Sequence, residues 1–327
     1  MSEVFFQTLQ QVALLLIFIL IGYFLRKKNF IGDSGAKNFA ILETLLFLPA
    51  NTYIAFSTNV NIHNFTEYLN LFLYGTVFLV AALGLSIGLS RVFSKDKDKR
   101  NVLIYALTFP NSGYFGYPVI EAVFGIAMKA KFSFFCIPFG LVINSFGMQI
   151  LTKNYSTDKE KPEANLLEIQ SKKKNNNFKM LYSPIMIATY LGIAVGLMPF
   201  EMPAFVNSVI GVASDCMSPI AMLLTGMVLA TLPIKKLFDA WRPYIVGLIR
   251  LVALPVFFGG ISYLLGLRGE AFIISIAFFA LPVGMNVVVF PESVGKDSSF
   301  GASICFMSYI MALITIPLAF AVIQSIA

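Results

Sequence analysis

The sequence predicts an all-α polytopic membrane protein, with ten transmembrane helices arranged as two inverted five-helix repeats and with crossing broken helices in the fourth and ninth spans. Three observations carry that expectation. The chain of 327 residues is 57% hydrophobic and only 13% charged, with a mean hydropathy of +0.79, far outside the range of a soluble domain. Its basic residues collect in alternate connections between long apolar runs. Two of those runs, one in each half, hold proline, glycine and asparagine where a continuous helix would not.

A bilayer takes ~20 apolar residues per helical span. Runs of about that length lie at 4–25, 36–56, 68–89, 102–124 and 132–151 in the first half, and at 182–198, 205–232, 243–265, 271–290 and 300–326 in the second. The first run lacks a basic leader and a small-residue cleavage site, so it reads as a retained span.

The connections test this division. Arg26, Lys27, Lys28 and Lys37 fall in the first, Arg91, Lys95, Lys97, Lys99 and Arg100 in the third, and Lys153, Lys159, Lys161, Lys172, Lys173, Lys174 and Lys179 in the central one. Lys235, Lys236 and Arg242 follow in the seventh and Lys296 in the ninth, whereas the even connections hold only Lys129, Lys131 and Arg268. This alternation predicts both termini outside and the central loop in the cytoplasm. The net charge of +7 is therefore read as orientation in a cell membrane among lipids, and not as a nucleic-acid surface.

The chain divides into a first five-span repeat at 1–151, a cytoplasmic loop at 152–180 and a second repeat at 181–327. The loop reads either as a solvated linker or as a contact for regulation or anionic lipid. Because five is odd, the second repeat enters the membrane in the opposite sense, the arrangement of inverted-repeat transporters. Each second span carries an acid followed by a proline, Glu43 with Pro49 and Asp215 with Pro219.

The unusual runs are ALTFPNSGYFGYPVI at 106–120 and ALPVGMNVVVFPE at 280–292. Pro110, Pro118, Pro282 and Pro291 are expected to break the helices, and lipid tolerates such a break only where protein or a wet cavity serves the freed backbone groups. If the breaks cross, Asn111, Ser112, Gly113, Gly284 and Asn286 form a polar site near the midplane, where helix N-termini suit a small organic anion. Arg250 costs ~2.5–3.5 kcal/mol in a span and needs a partner. Three readings stand open for it: a contact to the anion, a pair with Asp215 or Glu43, or snorkelling to the cytoplasmic face. Asp215 and Glu43 read either as carriers of a coupling ion or as structural acids. Glu121 and Glu292, near span ends, fit solvated or capping roles.

Other chemistries find little support. His63 is the only histidine and lies in a polar loop, no Walker-type sequence is present, and Cys136, Cys216 and Cys305 are spaced as packing residues. No cofactor, metal or enzyme activity is implied.

The stretch LTFPNSGYFGYPVIEAVFG in the first half and ALPVGMNVVVFPESVGKD in the second resemble the auxin efflux carrier family, which includes plant auxin exporters and bacterial permeases described for malate or malonate. The resemblance covers nearly the whole chain except 152–179. It implies secondary transport of a mono- or dicarboxylate by an elevator-type carrier. In such a carrier a mobile domain holds the crossover, and a scaffold of the first two spans of each repeat often mediates dimerisation. By motif position it implies that Asn111 and Asn286 contact the substrate carboxylate and that Pro110 and Pro282 shape the breaks. Pro291 departs from the pattern, which more often has a small residue there. A sodium-coupled symporter with a bile-acid-carrier-like fold is the alternative. For any coupling at all, the candidate ions are a proton or sodium. A sensor without transport is a third reading.

Overall fold

A computed structural model describes residues 2–152, 182–198, 202–231, 241–293 and 296–326. The central loop, with its proposed lipid contact, and Lys235 and Lys236 lie outside the described residues. Among those described, the chain is helical, and its one β-type pairing is an isolated bridge.

Six helical bodies are long and apolar enough to cross a membrane: Val4–Lys27, Ser34–Asn59, Phe65–Phe93, Ala204–Leu229, Arg242–Leu264 and Ser299–Ile326. They follow the expected runs to within a few residues. Helix α1 is Ser2–Lys27, and its last turn carries Arg26 and Lys27, the charges that favour a helix C-terminus. Helices α2 (Asp33–Leu42) and α3 (Leu48–Asn59) form one body joined by a π-helical turn at Glu43–Phe47. Helix α4 is Phe65–Phe93.

The run expected at 102–124 is interrupted. Helix α5 (Lys97–Thr108) starts under the Asp96 carboxylate, which accepts from the amides of Asp98 at 2.8 Å and Lys99 at 3.3 Å. It stops before Pro110, and a π-helical turn at Ser112–Gly116 leads into α6 (Tyr117–Phe124). Gly125, with φ +88°, turns the chain so sharply that α7 (Ile126–Val142) follows at once. Lys129 and Lys131, expected in a connection, therefore lie on α7. Lys129 is buried against Glu121 at 2.5 Å, and Lys131 pairs with Glu67 at 2.7 Å and with Glu270. A π-helical turn at Ile143–Gly147 and α8 (Met148–Thr152) complete this body.

In the second half, α9 is Pro184–Leu197 and α10 is Ala204–Leu229. Helices α11 (Arg242–Leu248) and α12 (Leu254–Leu264) flank a π-helical turn at Ile249–Ala253. The second interrupted run holds α13 (Gly269–Ala280) and α14 (Asn286–Ser293), and α15 (Ser299–Ile326) ends the fold. Pro118 and Pro291, expected as break residues, lie inside the second helical halves. Pro118 sits in the first turn of α6, where its missing N–H costs little, and Pro291 falls within α14.

Small residues set the helix contacts, as they do where lipid removes the usual hydrophobic drive for association. A Cβ on Gly226 of α10 would meet the Ile19 carbonyl oxygen of α1 at 1.9 Å, and one on Gly22 would meet that of Leu223 at 2.0 Å. Gly196 of α9 lies as close to Val60 at the end of α3, at 2.4 Å, and Gly75 of α4 to Phe135 of α7, at 2.2 Å. An aromatic core joins α4, α7, α12 and α13: Phe258 stacks on Phe279 at 3.7 Å, and Phe139 packs on Phe278 at 4.1 Å. Large apolar side chains left exposed, such as Ile17, Leu20 and Phe24 of α1 and Val256 of α12, face the position of lipid.

Candidate functional site

The two interruptions meet. Pro110 and Val283 form the isolated antiparallel bridge, with the Asn111 amide donating to the Pro282 carbonyl at 2.8 Å and the Gly284 amide to the Phe109 carbonyl at 3.1 Å. Each stretch thus supplies backbone partners to the other, which resolves the cost of breaking a helix in an apolar setting. Two glycines admit this approach. A Cβ on Gly116 would meet Leu281 Cδ1 at 2.5 Å, and one on Gly284 would meet the Phe109 and Pro110 carbonyl oxygens at 3.3 Å.

Arg250 serves three further carbonyls. Fully buried on the π-helical turn between α11 and α12, it donates from Nη1 to Leu107 at 2.7 Å, from Nε to Leu281 at 3.1 Å and from Nη2 to Phe278 at 3.2 Å. These carbonyls end α5 and α13, so one guanidinium caps the C-termini of both first halves and lies where the two dipoles are negative. Its carbon also stands 5.6 Å from the Phe279 ring centre. Pairing with Asp215 or Glu43 is not what the structure contains: no carboxylate pairs with Arg250 among the described residues. Zero exposure likewise excludes snorkelling. The partners missed by sequence reading are main-chain oxygens, which only the crossing brings together.

Asn111 is buried at the start of the second half. Its Oδ1 accepts from the Tyr114 amide at 3.1 Å, capping the turn, and its Nδ2 donates to the Tyr309 hydroxyl of α15. Asn286 begins α14, half-buried, with its side chain hydrogen-bonded to Tyr105 of α5. Each asparagine is therefore held by a tyrosine from the other side of the crossing, and no hydrogen bond joins the two. Neither Tyr309 nor Tyr105 stands out in an apolar, aromatic-rich sequence.

Val283 is served from α15, where Ser308 Oγ accepts from its amide at 3.1 Å and Cys305 Sγ lies 3.6 Å from its carbonyl. The first-turn amides of Ser112, Gly113, Met285 and Asn286 have no acceptor among the described residues. Open space lies beside Gly113. The crossing thus gathers Pro110, Asn111, Ser112, Gly113, Pro282, Gly284 and Asn286, with donors unspent at two helix starts.

Asp215 lies apart from this cluster. It is exposed on α10 and lines a cavity of about 220 Å³ with Gln11, Asn51, Glu121 and Ser214. Asn51 Nδ2 donates to Ser214 Oγ there at 3.1 Å. Glu43 is the opposite case: fully buried, with no hydrogen-bond partner for either oxygen.

A sequence profile for membrane transport proteins matches residues 7–320, nearly the whole chain. The chain belongs to the membrane transport protein family. This agrees with the auxin efflux carrier resemblance carried by the two motifs and makes the protein an integral membrane transporter, not an enzyme. An uncharacterized transporter of Methanothermobacter thermautotrophicus is 23% identical over 322 residues, spanning 96% of this chain and 98% of that one. An uncharacterized transporter of Methanocaldococcus jannaschii is 22% identical over 312 residues, spanning 94% and 96%.

Proposed function

We propose that this transporter carries a small organic anion, a mono- or dicarboxylate, across the cytoplasmic membrane by alternating access at the crossing. The observation that carries the reading is the antiparallel pairing of the two breaks, which sets two helix starts with unspent amides beside Asn111 and Asn286. Helix N-termini attract anionic groups, and a carboxylate accepts several such N–H bonds at once. Arg250 holds the carbonyl ends away on the other side of the crossing, so the field at the break favours an anion.

In this reading the helical bodies are ten spans in two inverted repeats. The packing supports it. Pairs one–seven and two–six share glycine-tight contacts through Gly226 and Gly196, and an inversion exchanging first with sixth and second with seventh maps one pair onto the other. Pair three–five, tight at Gly75, corresponds to pair eight–ten, where a Cβ on Gly247 would meet Met311 Sδ at 2.9 Å. The bodies α1, α2–α3, α9 and α10 then form the scaffold, on which a second copy would pair to make a homodimer, and the others form the moving elevator. The charge alternation supports termini outside and the central loop in the cytoplasm. The sodium-coupled alternative loses ground because the carbonyls that would ligate the cation at Leu107, Phe278 and Leu281 are engaged by Arg250.

The test is uptake of labelled malonate, malate and monocarboxylates into proteoliposomes by the wild type, Asn111→Ala and Asn286→Ala. The reading predicts transport of at least one carboxylate and its loss in both variants. Unchanged transport in both variants would overturn the crossing as the site.

A further inference from the structure

Glu43 is a fully buried acid whose two oxygens meet no donor among the described residues. An ionised carboxylate in that position is an unpaired buried charge, which proteins avoid by neutralising the group. Among the described side chains of the elements packed against it, none is a cation. The π-helical turn at Glu43–Phe47 packs against α2, α3, α9 and α10. Among residues with described side chains, the titratable groups on those helices are Tyr53 of α3, Tyr190 of α9, and Asp215 and Cys216 of α10, none of them hydrogen-bonded to Glu43. Asp33 and Lys37 lie on the preceding turns of α2. The neutral acid is the form this site accommodates.

Across from the turn stands Tyr114, from the start of the second half of the first break. Its hydroxyl is hydrogen-bonded to Thr44, the residue after Glu43, whose own Oγ1 donates to the Ala40 carbonyl at 2.8 Å, and the charge of an ionised Glu43 would reach it. The Tyr114 amide is the one capped by Asn111 Oδ1. A set of hydrogen bonds therefore runs from Thr44, the residue after Glu43 on the π-helical turn, through Tyr114 to Asn111 at the crossing, and it joins the proposed scaffold to the proposed moving part. The insertion that makes the turn π-helical lies at this contact, a feature often found at functional positions.

We propose that Glu43 binds and releases one proton in each transport cycle. It takes up one proton from water before the break docks against the second span as seen here, and returns that proton to water when the break moves away and the site wets. Because an ionised Glu43 would repel an anion held beside Asn111, proton uptake by Glu43 and anion binding favour each other. By linkage the effect is reciprocal. This rests on the organic-anion reading for its cargo, but the protonation of Glu43 stands independently of it.

Two readouts test it on the full-length protein, with Glu43→Gln as a neutral isostere that keeps the buried shape. Infrared spectroscopy of lipid-reconstituted protein should show a protonated-carboxyl C=O band at neutral pH that is lost in Glu43→Gln; an identical band in the variant overturns the proposal. Malonate uptake into proteoliposomes should rise as external pH falls in the wild type, beyond the change in malonate's own ionisation. In Glu43→Gln it should follow that ionisation alone, and an unaltered pH response in the variant overturns the proposal. If the wild type moves neither malonate nor malate, the organic-anion reading is what fails, and the infrared band decides the case for Glu43.

Discussion

Replacing Arg250 with methionine should destabilise the protein even when no ligand is present. Three carbonyls, from Leu107, Phe278 and Leu281, lose their donors in that variant. A buried polar group left without a partner costs about 1–3 kcal/mol, so the three together cost roughly 6 kcal/mol. Against this stands the ~2.5–3.5 kcal/mol that placing an arginine in a membrane helix costs, and which the variant avoids. The difference is a net loss of about 3 kcal/mol. Lysine should recover part of it. The three carbonyls approach three separate nitrogens of a planar group, and a single ammonium on a flexible stem cannot reach all of them. Thermal unfolding of wild type, Arg250→Lys and Arg250→Met in lipid nanodiscs without added anion should rank the proteins in that order. If Arg250→Met unfolds with the wild type and loses only anion binding, the side chain is a substrate contact and the capping argument is wrong.

Further outcomes follow from the geometry. Gly226→Leu should drive α1 and α10 apart and sharply lower the yield of folded protein, because even a Cβ there meets a carbonyl oxygen at 1.9 Å; Gly84→Leu, with nothing within 4 Å, should be tolerated, and size-exclusion profiles compare the two. Tyr309→Phe removes the hydroxyl that receives Asn111 Nδ2, and should lower thermal stability by about 1 kcal/mol while weakening carboxylate uptake. At the start of α5, the amides of Lys99 and Asp98 hold the Asp96 carboxyl below the usual range. A lowered value stabilises the folded form above the ordinary Asp value of about 3.9, and that support is lost as pH falls through the lower folded value. Protection of the Asp98 and Lys99 amides, taken relative to the intrinsic exchange rate at each pH, should therefore fall in acid in the wild type and be low at all pH in Asp96→Ala.

Much of this was legible from residue order. Apolar run length placed the helical bodies because a span must match the bilayer, and Pro110 and Pro282 marked the breaks because no helix continues through them unaided. Pro118 and Pro291 carried the same letter and a different meaning: one sits in the first turn of its helix, where proline costs little, and the other is carried inside a helix without ending it. Lys129 looked like a loop charge, and only the turn at Gly125 and the Glu121 carboxylate made it buried. Arg250 announced a partner without naming it, since its three acceptors are main-chain atoms distant in sequence. Tyr309 gave no signal at all, because its role depends on where α15 passes the crossing.

The most direct measurement of the crossing as an anion site is equilibrium binding. Thermal shifts of the detergent-purified wild type against malonate, malate and monocarboxylates, repeated with Asn111→Ala and Asn286→Ala, report ligand bound to the folded state by mass action. The crossing account predicts that a carboxylate raises the wild-type midpoint in a concentration-dependent way and leaves both variants unmoved. Equal shifts in all three proteins would contradict it.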